Sequence, residues 1–110
     1  MTLIVYGLKA CDGTRKAIKT LEAAGKSVTL HDVRADGLPE ALLRDWVAAL
    51  GWKALLNTRS TTWRGLDAGE KESIDEERAI GLMLVHPALV KRPVVDTGNA
   101  VVIGAAAALQ

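Results

Sequence analysis

Sulfur nucleophiles are nearly absent from this chain: Cys11 is its only cysteine. A single thiol excludes an internal disulfide framework and suits a reducing compartment. A surplus of charge is also missing, since 14 Lys and Arg against 13 Asp and Glu leave +1. No basic block stands out, which argues against nucleic-acid binding as the main task. No apolar run reaches the ~20 residues of a membrane span, so no membrane partner is expected. Met1-Thr2-Leu3-Ile4-Val5-Tyr6 lacks the basic start and cleavage site of a secretory signal, and a cytoplasmic, soluble protein is expected. His31 and His86 lie far apart with no second cysteine, too few matched ligands for a metal site. Neither Gly-x-Gly-x-x-Gly nor Gly-x-x-x-x-Gly-Lys-Ser/Thr occurs, so a nucleotide site has no support and no tightly bound cofactor is expected.

What is present suits an ordinary globular protein, with 49% apolar and 25% charged residues over 110 positions. Without repeats, low-complexity linkers or composition breaks, residues 1–110 read as one domain. The chain is organised around residues 3–16. There the β-branched run Leu3-Ile4-Val5-Tyr6 passes through a short turn with Gly7 to Cys11, and a helix follows at once. Ala17, Ile18, Leu21 and Ala24 mark one face of that helix, and Gly25 marks its stop. A thiol at such a junction sits where orphan N–H groups and the helix dipole favour an anion, and Lys9, Arg15 and Lys16 add positive charge nearby. A lone cysteine is more often a small buried hydrophobe. Here the polar or small neighbours Lys9, Asp12 and Gly13 favour a reactive thiolate instead. Thr14 can supply a hydroxyl to that thiolate or cap the helix start.

Periodicity places strands at residues 2–6 and 27–33 around a helix at 12–24, a βαβ unit with parallel strands. Pro39 suits the first position of a helix carrying Leu42, Leu43, Trp46, Val47 and Leu50 as far as Gly51. Residues 52–56 read as a turn or short helical piece, and 57–64 as a polar loop or helix start. Helices are expected at 69–74 and at 75–85, the latter capped by Asp75 and ended by Pro87. A strand opened by Arg92-Pro93, a turn at 97–100, a returning strand to Ile103 and an alanine-rich helical tail at 105–110 complete the order. Trp46, Trp52 and Trp63 read as core residues, and the charged runs at 70–72 and 75–78 as a solvated helix face.

Three separated segments carry a resemblance. Tyr6-Gly7-Leu8-Lys9-Ala10-Cys11-Asp12, Gly51-Trp52 with Leu55-Leu56-Asn57-Thr58-Arg59-Ser60-Thr61-Thr62-Trp63-Arg64, and Val90-Lys91-Arg92-Pro93 resemble the arsenate reductase-like (ArsC/Spx/YffB) family, nearest its YffB members. The resemblance implies an α/β thioredoxin-like fold, a four-stranded mixed sheet with a helical insertion between the second and third strands. It also implies a cis peptide before Pro93, facing the cysteine. By the same correspondence Cys11 is the nucleophile, while Arg59 and Arg92 hold an oxyanion. Arginine's planar fork suits that task, although a single arginine is more often a solvated surface charge. Arg15 and Arg64 read as such charges.

Two departures stand out. The arsenate reductases carry a His shortly before the cysteine, where this chain has Gly7 and Lys9, and an arginine after the final hairpin, where residues 101–105 offer none. Lys9 is then the candidate for the local positive charge that lowers the Cys11 pKa. The substrate stays open between arsenate, another oxyanion and a mixed disulfide. The resemblance implies a glutathione-dependent thiol reductase, with glutathione as co-substrate and resolving thiol and a glutaredoxin as a further partner; a monomer is expected. The other reading is a regulator or adaptor of the Spx type that binds RNA polymerase. A local disulfide switch is closed to it, because Thr14 stands where a Cys-x-x-Cys pair needs its second thiol.

Overall fold

A computed structural model describes residues 2–72 and 74–109, which fall into two compact units. The first combines residues 2–37 with 92–109; the second spans Leu38–Lys91.

The first unit holds the sheet. Strand β1 (Thr2–Gly7) pairs in parallel with β2 (Ser27–Asp32), and helix α1 (Asp12–Ala23) makes the crossover. Strand β3 (Val94–Asp96) runs antiparallel to β1 on its other side, and β4 (Val101–Ile103) closes the order β2-β1-β3-β4. Side chains alternate across a strand, so register sorts them by face. Leu3, Val5 and Val95 form a buried cluster with Leu21 of α1, and Ile18, Val28, Leu30 and Val102 pack against it. Ala105 and Ala108 of the short last helix, α7 (Ala105–Ala108), join the same layer. Tyr6 and His31, paired across β1 and β2, stand on the other face with ring centroids 4.9 Å apart. His31 Nε2 lies 2.8 Å from the Gly37 carbonyl, so that nitrogen carries the proton.

The second unit is helical. Its helix α2 (Glu40–Leu50) ends at Gly51, whose φ of 86° lies in the left-handed region that favours glycine. Short helices α3 (Trp52–Leu55), α4 (Thr61–Arg64) and α5 (Ala68–Lys71) lead to α6 (Glu76–Val85), which Asp75 caps by accepting from the Arg78 N–H at 2.9 Å. Leu56 bridges Val90 in antiparallel fashion, so the insertion's middle and end are tied together. Leu43, Trp46, Leu55, Ile80, Met83 and Leu89 are buried. Arg44 holds Glu40 at 2.8 Å and Glu77 at 2.8 and 3.1 Å, which pins α2 to α6 and keeps the Glu77 carboxyl below its ordinary range.

Most expected elements appear, with shifts that have local causes. Pro39 is the cap of α2 rather than its first residue, because its ψ of 138° is extended. Strand β3 begins at Val94, where pairing with Tyr6 starts, since Pro93 has no N–H to give the ladder. Helix α6 stops at Val85, and Pro87 opens a 3-10 turn, Pro87–Leu89. The helix expected at 69–74 is Ala68–Lys71, with Glu72 already extended; Ser73, like Gln110 of the tail, lies outside the described residues.

Gly7 is needed at the end of β1. A Cβ there would collide with the Thr14 Oγ1 and would lie 2.7 Å from its Cγ2, so α1 approaches β1 too closely for any side chain. Gly7→Ala is expected to lower stability by about 1–3 kcal/mol, the usual range for overpacking. In denaturant titrations, the pair Gly7→Ala/Thr14→Ala should lose less than its two single losses added together. Strict additivity would show that the contact is not the cause.

Candidate functional site

Cys11 caps α1 in extended conformation, with φ −84° and ψ 121°. The preceding turn closes through the Cys11 N–H to the Leu8 carbonyl at 3.0 Å, and the Cys11 carbonyl accepts from Arg15 N–H at 3.0 Å. The thiol is half-buried. Burial pushes its pKa up, but opposing influences win. The Thr14 hydroxyl donates to the sulfur, the backbone N–H groups of Thr14 and Gly13 point at it, and the Arg92 guanidinium adds positive charge. The balance leaves the thiol below its ordinary value. A thiol in that setting is a candidate nucleophile.

Thr14 is fully buried. Its hydroxyl accepts from the Leu8 N–H at 3.3 Å while donating to the sulfur, which spends both of its hydrogen-bonding roles on this loop. Gly13 leaves the sulfur's flank open; even a Cβ there would make only ordinary contact with Sγ, at 3.7 Å. Arg92 comes from the chain's return into the sheet, directly before Pro93. The Arg92–Pro93 peptide is cis, as the resemblance implies. The Pro93 carbonyl accepts from Gly104 N–H at 2.9 Å, which ties this corner to the end of β4.

The structure therefore brings Thr14 and Arg92 to Cys11. Lys9 is exposed, and its charge acts on Asp32. Arg59 belongs to the helical unit, exposed in the turn before α4, where its N–H donates to Asn57 Oδ1 at 3.1 Å. Arg15 bonds Asp12 at 2.6 Å on the surface of α1, and Arg64 is exposed at the end of α4. Among the described residues no group of three metal-ligating side chains occurs, and no helix is long and apolar enough to cross a membrane.

One site residue escapes sequence reasoning. Asp32, at the end of β2, is nearly buried and accepts from Lys9 N–H at 2.9 Å, Arg34 N–H at 2.8 Å and Ala35 N–H at 2.9 Å. Those donors hold its carboxyl below the usual aspartate range, led by the Lys9 N–H. The carboxylate thus anchors the loop that presents Cys11. An aspartate at a strand end signals a local turn, but its bond to a residue 23 positions away leaves no sequence signal.

Because the folded Asp32 pKa is depressed, its stabilising effect is complete above the unfolded value of ~3.9 and is lost as pH falls through the folded value. The gap in Tm between wild type and Asp32→Asn is expected to be widest near neutrality and to narrow in acid. A gap independent of pH would contradict the anchoring carboxylate.

Comparisons with known proteins bear on the family and the fold. The ArsC family model matches residues 6–108. A Haemophilus influenzae protein, itself uncharacterized, is 40% identical over 102 residues, covering 93% of this chain and 90% of its own length. An arsenate reductase of Rhizobium meliloti is 29% identical over 97 residues, covering 86% of this chain and 69% of its own. The solved structure of a YffB protein matches with a TM-score of 0.90 at 40% identity, across 98% of this chain and 99% of that one. With the four-stranded mixed sheet, the thiol-bearing loop and these likenesses together, the chain belongs to the ArsC family.

Proposed function

We propose that this protein is a glutathione-dependent thiol reductase with Cys11 as its nucleophile. The carrying observation is a half-buried thiol whose pKa is lowered by the Thr14 hydroxyl, two backbone N–H groups and Arg92. Family membership and the similarity to an arsenate reductase support an oxidoreductase-like role.

In the proposed cycle the Cys11 thiolate attacks one sulfur of a mixed disulfide. A new S–S bond forms to Cys11 as the old one breaks, and the departing sulfur leaves with the electron pair and takes a proton from water. No second cysteine is available to resolve the adduct. A glutathione thiolate therefore attacks it, frees Cys11 and carries away the disulfide. For an oxyanion substrate such as arsenate, Cys11 and glutathione each supply one thiol toward the two-electron reduction. Arg92 holds the anionic group of the substrate beside the sulfur, as a guanidinium fork does well. Arg59 is a second anion holder by family correspondence, and a glutaredoxin is an alternative acceptor of the adduct.

Mass spectrometry after incubation with oxidised glutathione near pH 7 should find one mixed disulfide, on Cys11, and none in Cys11→Ser. The rate of Cys11 alkylation should rise with pH through a midpoint below the ~8.5 of a free thiol. Thr14→Val should move that midpoint upward, because it removes the hydroxyl donor and leaves burial in place. Turnover by Arg92→Gln should show a several-fold higher KM for an anionic substrate. A wild-type midpoint at or above ~8.5 would remove the basis of the proposal.

A further inference from the structure

The end of the sheet opposite Cys11 carries a cavity that the thiol chemistry does not use. Strands β1 and β2 start side by side there, with Thr2 level with Ser27, and the turn between β3 and β4 lies at the same end. The length of β1 separates it from the cysteine loop, roughly 20 Å at ~3.3 Å per residue. The cavity measures about 520 Å³. Leu3, Val102 and Ala108 form its apolar side, at the border of the buried cluster around Val5 and Leu21. Helix α7 leaves that space unfilled, since its four residues are all alanine. The polar side carries Lys26, Ser27 and Asn99. A tight turn brings the first two there. Gly25, at φ 85°, gives its N–H to the Glu22 carbonyl at 2.9 Å, and Lys26 gives its own to that of Leu21 at 3.1 Å. These are the paired bonds of a Schellman motif, in which the residue after the glycine is frequently apolar and packs back on the helix. Here that residue is a lysine on the cavity wall. Among the described residues, no hydrogen bond or ion pair engages the side chains of Lys26, Ser27 or Asn99. Thr97, on the same wall, spends its hydroxyl on the backbone of Ala100. No acidic side chain is among the described lining residues, so Lys26 sets the sign of the cavity.

We propose that this cavity is a binding site for a small organic anion, a carboxylate on a short aliphatic body. The site is separate from Cys11, and the proposal does not depend on the reductase reading. The carboxylate accepts from the Lys26 ammonium, the Ser27 hydroxyl and the Asn99 amide, three donors with no other partner. The aliphatic body covers Leu3, Val102 and Ala108 and removes their apolar surface from water. Both halves are needed. A charged head alone gains little from one exposed ammonium, and a bare hydrocarbon displaces water from three polar groups without replacing its bonds. An alkylammonium of the same length meets Lys26 as a like charge, with no carboxylate on the wall to balance it. The volume lies within the ~300–1,000 Å³ common for small-molecule sites.

Amide chemical-shift titration of the full isotope-labelled chain tests it, with sodium hexanoate, hexanol and hexylammonium chloride as probes at equal ionic strength. Hexanoate should shift the amides of Lys26, Ser27, Asn99 and Ala108 along saturating curves, with half-saturation in the millimolar range. Hexanol should bind more weakly, and hexylammonium weakest of the three. Lys26→Gln should raise the hexanoate half-saturation concentration by roughly two- to fivefold, the scale of an exposed ion pair, and leave that of hexanol unchanged. Lys19→Gln, an equal loss of charge on α1 outside the cavity, should leave both at wild-type values. Both lysines are exposed, so neither variant disturbs the core. Hexanoate shifts that rise without saturating overturn the proposal. So does a hexylammonium response equal to that of hexanoate, or a Lys26→Gln chain that binds hexanoate as tightly as wild type.

Discussion

The buried hydroxyl of Thr14 is the contact on which the candidate site depends. It receives the Leu8 N–H on one side and gives its proton to the Cys11 sulfur on the other. Both loop and thiol are therefore referenced to the same rigid point in the first turn of α1. Burying that hydroxyl without partners would cost a few kcal/mol in a typical protein, so the loop must close over it in the conformation that presents the sulfur. Closing the turn and setting the thiol's surroundings are one event. Gly7 belongs to the same arrangement, because its missing Cβ is what lets Thr14 come so close to the strand.

From the opposite side the loop is held by Asp32, whose three backbone donors make a carboxylate at the sheet's edge part of the thiol's support. The parallel pairing of β1 with β2 makes this possible, since it brings Gly7 level with Asp32 and the Val33 N–H to the Gly7 carbonyl at 2.9 Å. The cysteine is thus set by backbone and buried groups. The basic side chains near it are engaged elsewhere in part, Arg15 with Asp12 at 2.6 Å and Lys9 through its charge on Asp32.

Local pattern and tertiary placement divide what is legible in the residues. The β-branched run before Gly7, the apolar spacing of Ala17, Ile18 and Leu21, and Gly51 at a positive φ are short-range signals, and the elements they mark are present. Cys11 as the cap of α1 follows from the same order of strand, turn and helix. The short helices across 52–71 are harder, since each is four residues long and depends on contacts such as the Leu56–Val90 bridge rather than on propensity. Asp32 is invisible for a related reason, as its decisive partner is set by strand register. The cis peptide before Pro93 comes from family resemblance, because an X–Pro bond by itself favours trans by about 0.5–1 kcal/mol.

Packing also limits what the loop before the cysteine can carry. A side chain at position 7 would occupy the space of the Thr14 hydroxyl. A cationic residue there and a fully buried Thr14 in this position are mutually exclusive. The chain therefore lowers the thiol's pKa by donating to the sulfur from within, against the opposing effect of burial. It places its unpaired positive charge outside, on Lys9 and along α1. An internal donor stabilises the thiolate at short range, where salt has little influence, whereas exposed lysines act on anything anionic within a screening length.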